Sequence, residues 1–369
     1  MAIKRITAIN KMFPRGEKTV GAIVELDKAA KAEAFSVPGR TVLSASANDT
    51  IVTLELDPAD EKAITRKMVG FGPGTTTKVT GAKLSVKQKG SLFPVKCSQE
   101  TNEDIDGFKK MCFKTANGEL IYHLYEPAAK QGEKLPLMLF MHDSSVVSKN
   151  PKAALIQGMG GVIWALPEEQ RKRPCYVLVP AYSEKTAFDD FTVTWQCEAT
   201  AELIADLVKR YPIDERRIYG TGQSMGCMML YELMYTHPKL FAAAYAVAGQ
   251  WDPAKIAALK DQNIWILISE KDEKAWPIMN EGLRLLADSG VKISKGHIDA
   301  KADDNTKRLF AEEVISQEAN IQFTWYEGSS NLPDGMRPFP GCYHLCTWLW
   351  AYGIEPIREW VFKHKNNKL

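Results

Sequence analysis

The stretch Arg217-Ile-Tyr-Gly-Thr-Gly-Gln-Ser-Met-Gly226 decides how this chain is read. Within it, Gly222-Gln223-Ser224-Met225-Gly226 has the spacing G-x-S-x-G. A strand-like run precedes the motif, and Met225 to Tyr235 behind it is rich in helix formers. Strand, tight turn and helix around a serine form the pattern of a nucleophile elbow. The chemistry accounts for the glycines. The turn forces the serine into a strained backbone conformation and brings neighbouring backbone so close that side chains would collide. The serine oxygen is then expected at the carboxyl edge of a sheet, above a helix amino terminus. The bland alternative is a glycine-flanked turn without chemistry, and the flanking strand and helix weigh against it.

A serine nucleophile needs an imidazole to take its proton and a carboxylate to orient that imidazole. With this elbow the chain order is serine, acid, histidine. Four histidines follow Ser224: His237, His297, His344 and His364. His237, in Thr236-His237-Pro238, reads as a helix C-terminal cap. His297 falls in a polar insertion and His364 in a charged tail. His344 follows the loop Pro338-Phe-Pro-Gly341, past the last apolar run, and introduces a helix carrying Trp348 and Trp350. It is the expected base. The acid belongs in the exit of the run Ile264 to Ile268, which reads Ser269-Glu270-Lys271-Asp272-Glu273. Asp272 is the first choice; Glu270, Glu273 and the earlier Asp252 are alternatives. For the oxyanion, one donor is the Met225 amide, and the second is expected from Asp143 or Ser144 in His142-Asp143-Ser144-Ser145. His142 precedes the serine in the chain and is expected to brace that loop.

Outward from the elbow, compact apolar runs alternate with helical stretches. The runs are Leu137 to Met141, Tyr176 to Val179, Ile218 to Gly220, Ala242 to Val247, Ile264 to Ile268 and Ile321 to Tyr326. Leu203, Leu207 and Tyr211 share one face of a helix predicted over 198–211. This alternation implies a mostly parallel sheet with helices on both faces. Ahead of it, Asn117-Gly118 between two apolar runs signals a two-residue hairpin. The first hundred residues obey another rule. Val24 and Leu26, then Val52, Leu54 and Leu56, then Ala82, Leu84 and Val86 alternate with polar neighbours, between breakers at Pro38-Gly39, Asn48-Asp49 and Gly72-Pro73-Gly74. Period-two runs without a long helix predict a small β-sandwich. The expected division is residues 1–105 and 106–369.

These residues resemble the α/β-hydrolase superfamily. More narrowly, they resemble bacterial esterases related to polyhydroxybutyrate depolymerases and predicted peptidases, which carry an amino-terminal immunoglobulin-like domain. The resemblance lies in Trp164-Ala-Leu-Pro-Glu-Glu-Gln, Pro174-Cys-Tyr-Val-Leu-Val-Pro180, Tyr211 to Gly226, Phe241-Ala-Ala-Ala, Ser269-Glu-Lys-Asp272 and His344 with Trp348. It spans about residues 110 to 365 at motif level; for the first hundred it rests on strand pattern and domain order. By position, Ser224, Asp272 and His344 match that family's nucleophile, acid and base. The implied activity is hydrolysis of carboxylic esters, short-chain acyl or aryl, on a small-molecule or polymer-linked substrate, with no cofactor. A serine peptidase and a binding module on a hydrolase-like scaffold are the rivals. Two departures stand out. The oxyanion loop of these enzymes commonly reads His-Gly-x-Gly, and the stretch from Ile293 to Asn320 is longer than the family needs, either a flap or surface decoration.

Composition bounds the rest. The chain has 369 residues, 45% hydrophobic and 25% charged, with 47 basic and 45 acidic side chains. A net charge of +2 offers no electrostatic reason to expect nucleic acid, and no apolar run is long enough to span a membrane. Seven scattered cysteines do not read as a disulfide framework, although one or two bridges stay open. Cys342-Tyr-His344-Leu-Cys346 places its ligand types awkwardly for one tetrahedral metal, so no metal is expected. Gly158-Met-Gly160-Gly161 lacks the lysine of a phosphate loop and reads as a turn beside the site entrance. Trp251 and Trp276, on sheet-exit loops, are candidates for a substrate pocket. The amino end has no apolar core for a signal peptide, which leaves a cytoplasmic protein or a secreted mature chain. For the sandwich, three roles stay open: positioning substrate, homo-oligomerisation, or covering one side of the larger unit.

Overall fold

A computed structural model describes residues 2–70 and 75–366; the breaker Gly72-Pro73-Gly74 lies outside them. The first part is all-β. Strands β1 (Ile3–Phe13), β2 (Gly16–Leu26), β3 (Phe35–Ser36), β4 (Val42–Asn48), β5 (Ile51–Leu56), β6 (Arg66–Val69), β7 (Thr76–Val79), β8 (Ser85–Gln88), β9 (Val95–Lys96) and β10 (Gln99–Thr101) follow one another with only short 3₁₀ turns between. They form a five-stranded sheet, β10-β1-β2-β5-β4, a three-stranded sheet, β3-β8-β9, and the hairpin β6-β7. The period-two pattern explains the packing. Val52, Leu54 and Leu56 of β5 point inward while Ile51, Thr53 and Glu55 face out. With Ile6, Ala8, Ala22 and Val24 they meet Phe35, Val37, Leu84 and Val86 from the opposite sheet. The result is the expected immunoglobulin-like sandwich.

The second part holds β11 (Phe108–Thr115), β12 (Gly118–Tyr125), β13 (Leu135–Met141), β14 (Tyr176–Ala181), β15 (Ile213–Gln223), β16 (Ala243–Val247), β17 (Ile264–Ser269), β18 (Ile293–Ile298) and β19 (Ile321–Tyr326). They make one nine-stranded sheet, ordered β11-β12-β14-β13-β15-β16-β17-β19-β18. Only the β11–β12 and β12–β14 pairings are antiparallel. Its helices are α1 (Ala153–Ile156), α2 (Pro167–Lys172), α3 (Trp195–Arg210), α4 (Met225–Thr236), α5 (Pro253–Ala257), α6 (Ala275–Asp288), α7 (Asp304–Ser316), α8 (Cys342–Ala351) and α9 (Glu355–Phe362). They cover both faces. Leu137, Leu139 and Met141 of β13 pack with α3, α4 and α6, whereas Met138 and Phe140 pack on the other side with α7 and α9. A strand buried on both faces has no polar side to show, hence the continuous apolar run. This is the α/β-hydrolase architecture.

Four local expectations need correction. The hairpin pairs Thr115 with Gly118, so Ala116 and Asn117 form its loop, and Gly118 (φ 147°) already belongs to β12. The stretch Ile293 to Asn320 is neither flap nor decoration: β18 is the outermost strand of the large sheet and α7 packs against it. Gly160 and Gly161 do not border an entrance. A Cβ on Gly160 would lie 2.3 Å from the Phe140 ring, so these glycines let the chain press under β13. The carboxyl end is no free tail as far as Asn366, whose amide reaches the Arg216 carbonyl at 2.8 Å.

The two parts meet along an interface that involves the loop after β13. Thr77 Oγ1 donates to the Ser145 carbonyl at 2.9 Å, and Lys152 Nζ lies 3.1 Å from Glu17 Oε1. Met12 of β1 joins the core of the second part beside Phe140 and Phe108.

Candidate active site

Ser224 follows β15 directly and caps the start of α4 with φ 52° and ψ −120°, left-handed space that L-residues avoid. Its amide donates to the Val247 carbonyl at 3.1 Å, which ties the turn to β16. The flanking glycines are obligatory. A Cβ on Gly226 would come within 2.0 Å of the Met141 carbonyl oxygen, and one on Gly222 within 2.4 Å of the Gly226 carbonyl oxygen. Real Cβ atoms do not make such contacts, so α4 can lie this close to β13 at Gly226 and to the end of β15 at Gly222 only because both positions lack one. Ser224 is partly exposed although residues on either side are buried.

His344 Nε2 lies 2.8 Å from Ser224 Oγ, and His344 Nδ1 lies 2.6 Å from Asp272 Oδ2. Asp272 is 3% exposed. Burial raises the pKa of its carboxyl, but the His344 hydrogen bond and charge, with the amides of Ala275 and Lys274, bring it below the ordinary aspartate value. An ionised Asp272 can only accept, so Nδ1 carries the proton and Nε2 is left to accept from the Ser224 hydroxyl. The imidazole is thus held in the tautomer a general base requires. Asp272 follows β17, as expected. Its Oδ1 takes the Lys274 and Ala275 amides at 3.1 and 3.0 Å and so anchors the start of α6. His344 differs slightly from expectation. It sits within the first turn of α8, behind Gly341 at φ 79°, rather than on the preceding loop.

The other histidines fall elsewhere. His237 caps α4 and reaches Glu198 at 2.9 Å, His297 stacks on Trp325, and His364 packs on Trp360. His142 is buried, and its Nε2 receives the Tyr182 amide at 3.0 Å. An acceptor Nε2 requires Nδ1–H, which donates to the Asp143 carbonyl at 2.8 Å. Burial lowers the pKa of His142, so the neutral ring braces the loop. Within that loop the Asp143 carboxylate accepts from the Ser145 amide and hydroxyl and from Gln223 Nε2. The Ser145 amide is therefore spent, and the Asp143 and Ser144 amides are the candidates to join Met225 in facing an oxyanion.

Of the two tryptophans expected at a substrate pocket, Trp251 needs correction. Trp251 is wholly buried and donates its indole N–H to Glu232 at 2.8 Å; it belongs to the core. Trp276 packs against Phe323 and Trp325. Neither lines the cavity of about 320 Å³ that opens between the two parts, walled by Asp143, Ser145, Trp348, Leu345 and Leu349 on one side and Arg15, Ile64, Arg66 and Met68 on the other. Trp348 meets the His344 ring edge-on, with centroids 5.3 Å apart. Its position one helical turn after the base was the signal available in the sequence. The sandwich side of the cavity had none. All seven cysteines are free thiols, and Cys342 and Cys346 share a small cluster with Leu332. Among the described residues no group of three or more His, Cys, Asp or Glu is placed to hold a metal, and no helix is long and apolar enough to cross a membrane.

No protein-family model matches the chain, and no curated protein matches it. Among solved structures, a thermostable esterase is 24% identical, with alignment over 98% of this chain and 100% of the other at a TM-score of 0.79. At that identity the likeness is one of fold, and it covers both parts of the chain. An acetyl xylan esterase from Aspergillus awamori aligns at 14% identity over 50% of this chain and 81% of its own, with a TM-score of 0.37. A feruloyl esterase module from Clostridium thermocellum aligns at 10% identity over 61% and 82%, with a TM-score of 0.42. These two are too distant to bear on the reading.

Proposed function

We propose that this protein is a serine hydrolase of carboxylic esters, favouring short-chain acyl or aryl esters, with the chemistry in residues 106–369 and the sandwich in residues 1–105. The observation that carries the reading is the continuous line from Ser224 Oγ through His344 to Asp272, at 2.8 and 2.6 Å. A glycine-flanked turn without chemistry has no reason to hold a serine at positive φ against a tautomer-locked imidazole. The thermostable esterase that shares the fold from end to end supports esters as the substrate class.

In this mechanism His344 Nε2 takes the Ser224 proton as Oγ bonds to the ester carbonyl carbon. The carbonyl electron pair moves onto oxygen, faced by the Met225 amide and one from Asp143 or Ser144. As the pair returns, the alcohol leaves with the proton from His344, and an acyl group remains on Ser224. Water then repeats the sequence, giving its proton to His344 and its oxygen to the acyl carbon, and Ser224 is regenerated. Asp272 holds Nδ1–H throughout and keeps its own charge. Water is the only co-reactant.

Turnover of p-nitrophenyl esters from acetyl to long acyl chains tests the proposal, with Ser224→Ala as control. The expected result is hydrolysis of the short esters and a loss of about 10⁴-fold or more in the variant. Full activity in the variant would remove Ser224 from the chemistry. Peptide cleavage without ester turnover would favour the peptidase, and neither activity would favour a binding module.

A further inference from the structure

The cavity between the two parts has a charge pattern that the esterase reading does not require. Arg15 and Arg66 line it from the sandwich, and among the described residues neither has a carboxylate within ion-pair distance. Arg66 is held in place: its Nη2 donates to the carbonyls of Arg15 at 2.9 Å and Gln157 at 3.2 Å. Its Nε is buried without a partner and passes over Gly16, where a Cβ would lie 2.6 Å away. Burial works against the charge on this guanidinium, and Asp143 offsets that only in part. Asp143 is the one acid in the wall, and its carboxylate is already committed to Ser145 and Gln223. The cavity therefore carries two guanidinium charges against one occupied carboxylate. A fixed, desolvated guanidinium with no carboxylate in ion-pair contact favours a planar anion that its remaining N–H groups can meet.

Resting on the esterase reading, we propose that this cavity is a subsite for a carboxylate on the non-reacting end of the ester, so that the substrates are acidic esters. The walls fit such an end. Trp348, Leu345, Leu349, Ile64 and Met68 offer apolar surface for a short linker or ring, and the arginines meet its charge. The placement fits as well. The cavity lies between the Asp143–Ser145 loop and the helix of His344, but Ser224 and His344 are not in its wall. What it holds is thus a neighbour of the reacting group rather than the reacting group itself.

The acyl and alcohol ends are separable by experiment. On the acyl side, mono-p-nitrophenyl glutarate is compared with p-nitrophenyl butyrate. On the alcohol side, 4-acetoxybenzoate is compared with its uncharged methyl ester. The expected result is at least a tenfold preference in kcat/KM for the charged member of one pair, falling as salt is added. Arg66→Gln and the exposed Arg15→Gln should remove most of that preference through KM, with uncharged esters changed less than twofold; Arg66→Lys should retain part of it. Unchanged turnover of uncharged esters also shows that the variants fold. Turnover of uncharged esters with no charge preference in either pair would overturn the subsite alone. So would an equal loss on charged and uncharged esters. No turnover of any ester would overturn the esterase reading and the subsite with it.

Discussion

At Ser224 the backbone pays an energetic cost that the side chain alone justifies. Its φ of 52° with ψ −120° is a conformation in which a Cβ costs of order 1 kcal/mol or more. Removing the hydroxyl in two ways isolates that cost. Ser224→Ala keeps the Cβ and Ser224→Gly does not, while both lose the bond to His344. Inside a helix or strand alanine is the more stabilising residue by about 0.5–1 kcal/mol. Here the order should reverse, with Ser224→Gly more stable than Ser224→Ala by about 1 kcal/mol in urea unfolding; the usual order would mean the conformation is not costly. This part of the site was legible because G-x-S-x-G records a local collision: Gly222 and Gly226 are dictated by atoms a few residues away and by one neighbouring strand. Arg15 and Arg66 carry no such mark. They face Trp348 only across the seam where the sandwich meets the second part, far from it in the sequence.

Elements built on burial pattern were read well, and those whose buried face is not hydrophobic were missed. β13, buried throughout, is a continuous apolar run. β18 buries Ser294 and sets Gly296 under Val314 and Phe310, so its inner face reads as polar and small even though it pairs with β19 along its length. The placement of α8 is likewise invisible in hydropathy. Asn331, fully buried, donates from Nδ2 to the Tyr343 carbonyl at 2.6 Å and accepts the Trp350 indole N–H on its backbone carbonyl at 2.8 Å, a bond that side-chain truncation leaves in place. It thus clamps both ends of the helix that carries His344. Asn331→Ala should leave KM nearly unchanged and lower kcat about tenfold, because a base displaced by a fraction of an ångström loses alignment with Oγ. It should also cost about 1 kcal/mol, the net contribution of the hydrogen bond removed, because the Tyr343 carbonyl keeps the Thr347 hydroxyl as a donor at 2.8 Å. Steady-state ester kinetics beside a thermal melt check both; a loss of stability with kcat intact would make Asn331 a purely structural residue.

Across the whole molecule, the sandwich acts on the site through its contact with the loop after β13. Thr77 holds the Ser145 carbonyl from the β6–β7 hairpin, in the loop whose Asp143 carboxylate also meets Gln223. An ion pair also crosses this seam, at Glu17. Its carboxylate is fully buried and accepts from Thr65 at 2.7 Å and Asn102 at 2.7 Å within the sandwich, and from Lys152 at 3.1 Å across the interface. Lys152 is its only cationic partner among the described residues. Taking away one member of such a pair leaves a charge in a dry interface, which costs more than the pair itself contributes. Because Lys152 is one-third exposed, the expected loss for Lys152→Met is about 1–3 kcal/mol rather than the full penalty of a buried pair. Adding Glu17→Gln removes the stranded charge and should restore at least half of that loss. Urea unfolding followed by tryptophan fluorescence and far-ultraviolet circular dichroism separates the outcomes. Since Met12 already sits in the larger core, the two probes should move together in one transition. A Lys152→Met variant within 0.5 kcal/mol of the parent protein, on an order-of-magnitude scale where surface pairs contribute about that much, would show that Glu17 is adequately held by Thr65 and Asn102 alone.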